Sequence, residues 1–232
     1  MIRVGRLMEA LDFTATFVSY LHCHTEPLSR ICTMVTVCVD HLKFYNIMRA
    51  DRNILINSYP TFSGKSTIEI RTDLFQKTDN SSEENLVASA LFLMAARDPI
   101  DYTKPYFIPK LVETNEEDPE KCRLRKELGR LNQEERKKLG STNLFKSPPN
   151  QEESEELHNI FLSLRSNVVS PKDFTAISAT MTTKSLLMHL QDRNVHGKIF
   201  GGYLMRESIE FAWLIAFRYT KVEFEIIKSE CL

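Results

Sequence analysis

The sequence predicts an α+β fold on three observations. An apolar stripe at helical spacing occupies residues 4 to 21, four segments of strand character follow it in order, and Gly5-x-Leu7-Met8 recurs as Gly202-x-Leu204-Met205 at the head of a second apolar helix. One structural unit is therefore expected twice. Residues 1 to 98 read as a first repeat without its opening strand, 99 to 178 as a charged, partly helical connector, and 179 to 232 as a second repeat truncated after its helix.

Val4, Leu7, Met8, Leu11, Ala15 and Val18 give the first helix one broad apolar face, and Pro27 marks its stop. Thr33 to Phe44 is rich in Val and Thr, with Val35, Val37 and Val39 on one parity as in a half-buried strand. Asn53 to Tyr59 reads as the next strand, with Pro60 to Gly64 as a turn or bulge. Lys65 to Phe75 alternates around Ile68, Ile70 and Leu74, and Leu86 to Ala96 is an apolar run of buried-strand type.

The connector is marked by prolines and by the charged runs Glu113 to Glu120, Glu134 to Lys138 and Glu152 to Glu156. Two surface helices are expected in it, near 117 to 139 and 151 to 165. Mixed charge of this kind reads as a solvated helix face, with partner binding as the alternative. Ala179 to His189 then reads as a strand, followed by a polar loop and a helix from about Phe200 to Tyr219. Phe211 to Phe217 leave this helix almost no polar face, so it needs cover on most sides. Only Val222 to Ile227 offers one further strand, so the second repeat is expected to leave apolar surface exposed.

The chain has 232 residues, 42% of them hydrophobic and 26% charged, which suits one large globular domain or two small ones. A formal net charge of -1 argues against general nucleic-acid or membrane-surface binding. Five cysteines without paired spacing suit a reducing compartment, and no disulfide framework is expected. No apolar run approaches the ~18 residues of a membrane span. Met1 to Val4 leads straight into the helical pattern, with no room for a leader.

The residues richest in chemistry are Asp192 to Met205, where a polar, Gly-punctuated loop enters the second helix. The run Asn194-x-His196-Gly197-x-Ile199-Phe200-Gly201-Gly202-x-Leu204-Met205 resembles the signature of acyl-coenzyme A thioesterases with two hotdog repeats. A strand, a loop, a central helix and four further strands is also the hotdog element order. The linker and the Gly5 to Asp12 start look most like the mitochondrial thioesterase 9 branch of that family. The resemblance implies a double-hotdog arrangement, an antiparallel sheet wrapped around a central helix, with the second repeat incomplete. It also implies hydrolysis of acyl-CoA to a free fatty acid and coenzyme A.

In that family an Asn before one helix faces an acid on the helix of the other repeat, about an approximate twofold axis. Aligning Gly5 with Gly202 places Asp12 at the position of the family's acid, opposite Ile209, and Asn194 supplies the carboxamide. The resemblance thus assigns Asp12 as general base or nucleophile and Asn194 as the group that polarises the carbonyl or holds water. Backbone N–H groups near Gly201 and Gly202 point from the positive end of a helix and suit the oxyanion. Such a donor is worth on the order of 3 kcal/mol of transition-state binding. Arg193 and Lys198 are the phosphate contacts that charge alone suggests. No metal and no cofactor are expected, coenzyme A entering only as part of the substrate. A homo-oligomer, or pairing with a full-length relative, would cover the second helix. The implied compartment is mitochondrial, and cytosolic otherwise.

Plainer readings stand beside these. Asn before a helix is commonly an N-cap or turn residue, and Asp12 alone is a solvated carboxylate on an amphipathic helix. Glu210, one position beyond Ile209, serves either a different pocket or the core edge. His196 sits where the family varies and reads as a hydrogen bonder at the helix entry. His22-Cys23-His24 lacks a second ligand pair for a metal. Gly64-Lys65-Ser66 lacks the Gly needed at position 59 and precedes a strand, which excludes a phosphate-binding loop. Two functional hypotheses remain: a working thioesterase, or a non-catalytic fragment acting at most as a partner of full-length thioesterase.

Overall fold

The computed structural model describes residues 3–23, 32–77, 84–112, 118–141, 146–165, 177–194, 196–220 and 228–229. Helix α1 (Val4–Cys23) leads into four strands, β1 (Thr33–Phe44), β2 (Leu55–Ser63), β3 (Thr67–Lys77) and β4 (Glu84–Arg97). These and a short β5 (Lys228–Ser229) form an antiparallel sheet in the order β2-β3-β4-β1-β5. The predicted stripe on α1 faces this sheet. Leu7, Met8, Leu11 and Ala15 share one core with Ile68, Ile70 and Leu74 of β3 and Phe92 and Met94 of β4. Phe13, Phe17 and Leu21 look away from the sheet and are exposed. A helix laid on antiparallel strands in this order is the hotdog arrangement.

The strands match the expected segments, with one correction of parity. Val37 was expected to share a face with Val35 and Val39, but it is 55% exposed. A bulge between Thr36 and Cys38 makes Thr36 and Cys38 oppose Met94 and Leu93, leaving Val37 as the extra residue. The register slip lets Met34 join the core ahead of the bulge and Val39 pack on it afterwards. The turn or bulge expected over Pro60 to Gly64 includes a bulge between Pro60 and Phe62. Gly64 closes the β2–β3 hairpin, its N–H donating to the Thr67 carbonyl at 2.7 Å.

Residues 1–129 with 186–232 form one compact unit, and residues 130–185 a second. Helix α2 (Pro119–Ser141) starts where Asp118 caps it: its carboxylate accepts the Glu120 N–H at 3.0 Å, and Pro119 takes the first helical position, where no N–H is needed. Within the first unit, this early part of α2 is more than a solvated face. Cys122 is buried, Arg125 lies 4.6 Å from the Tyr59 ring centroid, and Gly129 abuts Thr61 and Phe62 of β2.

In the second unit, α3 (Gln151–Arg165) begins with a capping box. Asn150 Oδ1 accepts the Glu153 N–H and Glu153 Oε2 accepts the Asn150 N–H, each at 2.8 Å. The strand expected over 179–189 is not formed. Helix α4 (Ile177–Thr180) covers its start, and residues 181–189 run without a ladder partner among the described residues. Alternating apolar residues make a strand only where another strand takes their N–H and C=O groups.

Helix α5 (Gly201–Thr220) forms over the expected span and packs on α1. The second repeat leaves apolar surface on it, as expected: Gly202 alone is buried along it, while Leu204, Leu214 and Phe217 are exposed. The sheet provides no second layer for α5 among the described residues. The strand expected over Val222 to Ile227 lies outside the described residues, and β5 follows immediately, pairing Lys228 with Lys43 and Ser229 with Leu42. No helix among the described residues is long and apolar enough to cross a membrane.

Candidate functional site

The crossing of α1 and α5 is built around the repeated glycines. A Cβ on Gly5 would meet Arg206 and Glu210, and one on Gly202 would meet Glu9 and Asp12. Alignment of the repeats equates Glu9 with Arg206, so each glycine touches the same position on the opposite helix, as an approximate twofold axis requires. Those two aligned residues carry opposite charges and pair across the crossing, Arg206 donating to Glu9 Oε1 at 2.8 Å. Strands β1 and β5, each following its helix, pair antiparallel as the same axis demands.

Asp12 sits at this crossing, fully buried. Its Oδ1 accepts the Thr36 hydroxyl at 2.6 Å, and its Oδ2 accepts the Gly202 N–H at 2.7 Å. The absent side chain of Gly201 completes the packing: a Cβ there would lie 3.3 Å from Asp12 Oδ2 and from Thr36 Cβ. Burial raises the Asp12 pKa above the ordinary carboxylate value, and the hydrogen bonds from Thr36 and Gly202 partly offset it. The first repeat thus supplies an acid, and the second repeat a helix start that grips it.

Asn194 heads the loop before α5. Its Oδ1 accepts two N–H groups of its own loop, from His196 and Lys198, each at 3.0 Å. The loop closes through Asn194 N–H to the Lys198 carbonyl at 2.6 Å, and turns at Gly197, whose φ of +73° suits glycine. The carboxamide oxygen is therefore directed at its own backbone, as in an Asx turn, and its NH2 group is what remains for chemistry. The loop nevertheless rests on the same two elements that present Asp12. His196 reaches Tyr20 of α1 and Thr33 of β1.

Asp12, Gly201 and Gly202 are thus brought together, while Asn194 lies on the loop that leads into α5 with its oxygen bonded within that loop. Arg193 and Lys198 are exposed on that loop, Lys198 Nζ lying 4.9 Å from the Tyr102 ring centroid. Glu210 is settled by its partner: Arg3 binds both of its oxygens, at 3.0 and 3.2 Å, at the edge of the helix crossing. His22 Nε2 meets the Pro109 carbonyl at 2.9 Å. Sequence reasoning missed Thr36 and the Glu9–Arg206 pair. The opposite charges at aligned repeat positions were a readable signal for that pair. Thr36 was hidden by the bulge that resets the parity of β1.

No family model matches the sequence. Among curated proteins, mouse acyl-coenzyme A thioesterase 10, mitochondrial, is 30% identical over 93% of this chain and 50% of its own length. Mouse acyl-coenzyme A thioesterase 9, mitochondrial, is 32% identical over the same shares, and its human counterpart is 30% identical over 93% of this chain. The chain spans about half the length of the curated relatives it matches. Of solved structures, an acyl-CoA hydrolase from Staphylococcus aureus matches 68% of this chain and 82% of its own, at 18% identity and a TM-score of 0.49. Over 93% of its length, then, this chain is similar in sequence to mitochondrial acyl-coenzyme A thioesterases, the family that its Asn194 to Met205 signature resembles.

Proposed function

We propose that this chain carries an acyl-CoA thioesterase site, with Asp12 and Asn194 as its catalytic pair. The observation that supports it most is the buried Asp12 carboxyl held at the start of α5 by Thr36 and Gly202. Thioester hydrolysis needs a group to deliver or act as the nucleophile. A carboxylate whose pKa is raised by burial is a better proton acceptor than an exposed one. Asp12 then takes the proton of the attacking water, or attacks the carbonyl itself.

The carbonyl oxygen gains charge as the tetrahedral intermediate forms. Gly202's N–H is engaged with Asp12, so Gly201's N–H at the helix start and the Asn194 NH2 group are the donors proposed for that oxygen. Thiolate leaves readily, so the reaction calls for no metal. Arg193 and Lys198 are proposed to meet the phosphates of coenzyme A, and a mitochondrial compartment is proposed from the names of the relatives. Residues 99 to 178 are proposed to form the connector between the two repeats.

A second reading is favoured by α5. Its exposed apolar residues, Leu204, Leu214 and Phe217 among them, leave surface that a second copy or a full-length relative would cover. On that reading the isolated chain hydrolyses nothing and acts only in association. Purified chain incubated with acyl-CoA of several lengths and a thiol-reactive dye separates the two. Release of free coenzyme A above buffer supports the enzyme, and a rate equal to buffer overturns it for this chain alone.

A further inference from the structure

The contact between His196 and Tyr20 lies outside the Asp12 site and has no role in the chemistry above. Tyr20, two turns beyond Asp12 on α1, brings its phenol oxygen against both β1 and the Asn194 loop. It accepts the Met34 N–H at 3.0 Å and lies 2.5 Å from His196 Nε2. His196 Nδ1 faces Thr33 Oγ1, a fully buried residue of β1, at 3.4 Å. The backbone N–H of the same His196 donates to Asn194 Oδ1 at 3.0 Å. Hydrogen bonds therefore tie β1 to Tyr20 and Tyr20 to the His196 ring, and the backbone of the same His196 binds the carboxamide of Asn194.

We infer that Tyr20 and His196 are positioning residues, a clasp by which the first repeat fixes the Asn194 loop of the second at a set distance from Asp12. The inference rests on the thioesterase reading for its effect on rate, but the clasp itself is a matter of hydrogen bonds. Tyr20 already accepts from Met34, so its phenol proton is the one it has to give, and a neutral His196 accepts it at Nε2. Nδ1–H is then left for Thr33. An imidazolium has no acceptor nitrogen and would have to reverse the Tyr20 bond. Among the described residues, the titratable groups about Tyr20 are Cys23 at the end of α1, Cys32 before β1 and Tyr102 after β4. Lys198, on the loop itself, lies over Tyr102. None of these is an acid that would hold an imidazolium, and burial favours the neutral ring.

The test uses the full chain with nitrogen-labelled histidine, as wild type and as Tyr20→Phe and His196→Gln. The clasp predicts that the His196 resonances show Nδ1 protonated and Nε2 bare, and that His196 titrates below the ordinary histidine range. In Tyr20→Phe its titration moves back toward that range. A His196 that titrates ordinarily and ignores Tyr20→Phe overturns the clasp, whether or not the chain is active. With activity present, Tyr20→Phe lowers kcat about ten- to a hundredfold with little change in KM, and shifts the acid limb of the pH profile. His196→Gln, which keeps an acceptor for Tyr20, restores part of that rate relative to His196→Ala. Unchanged kcat in Tyr20→Phe also overturns the inference. Absence of activity in wild type overturns the thioesterase reading and leaves the resonances to decide the clasp.

Discussion

Asp12 and Gly202, 190 residues apart in sequence, meet through a 2.7 Å hydrogen bond from a backbone N–H to a carboxyl oxygen. This contact joins the two repeats. It needs a helix start with a free N–H, a glycine that lets the helices approach, and an acid on the facing helix.

The two repeated glycines are not equivalent in what they tolerate. A Cβ on Gly202 would lie 2.9 Å from the Glu9 Cα and 3.1 Å from Asp12 Cβ, neither of which can yield without moving α1. A Cβ on Gly5 would meet the flexible side chains of Arg206 and Glu210. Gly202→Ala is expected to lose about 1–3 kcal/mol of stability by overpacking, and Gly5→Ala less. Urea denaturation of the two variants measures the difference.

Asn194 has two separable jobs. Its Oδ1 holds the loop through the N–H groups of His196 and Lys198, while its NH2 is proposed to serve the substrate. Asn194→Asp keeps the acceptor and loses the donor, so melting should change little while hydrolysis falls. Asn194→Ala should lose both. Parallel melting curves and coenzyme A release distinguish the two effects, and equal loss of melting temperature in both variants would contradict this division.

The Glu9–Arg206 pair is mostly shielded, with side chains 20% and 15% exposed. Arg206 also binds Glu207 at 3.1 Å, so truncating it removes one cation from two carboxylates, of which Glu9 keeps Arg6 at 3.0 Å. Arg206→Ala is expected to cost roughly 1.5–3 kcal/mol, the range for hydrogen bonds to charged groups. A double-mutant cycle with Glu9→Ala should recover part of that cost as coupling energy.

Stability should depend on pH through Asp12. Its folded pKa lies above 3.8, so the folded state holds this proton more tightly than the unfolded chain does. The resulting stabilisation is fully present below the unfolded value and is lost as pH rises through the folded one. Asp12→Asn cannot show this loss. The melting temperature of wild type relative to Asp12→Asn should therefore fall as pH rises from the ordinary carboxylate range through the raised folded pKa.

Much of the fold was legible because the responsible signals are local. The α1 stripe from Val4 to Val18, the Ile68–Ile70–Leu74 alternation and the apolar run before Ala96 each specify their element without a distant partner. The strand expected over 179–189 failed because pairing, unlike helicity, depends on a neighbour that the sequence segment does not carry. The bulge at Val37 was invisible for a similar reason: the extra residue is defined by the register against β4. At the site, the repeat alignment pointed to Asp12 and Gly202 together. It could not show that the Asn194 oxygen turns back into its own loop, which depends on the side-chain torsion and not on spacing.

Asp12 is proposed to perform the chemistry at the junction of the two repeats. That role is tested most directly by the kcat for acyl-CoA hydrolysis of Asp12→Asn beside wild type, both shown folded by their melting curves. Asn keeps an oxygen for Thr36 or Gly202 but can neither accept the proton of water nor attack the thioester. A loss of at least about a hundredfold is expected, as for removing a general base. A folded Asp12→Asn that releases coenzyme A at the wild-type rate would contradict it.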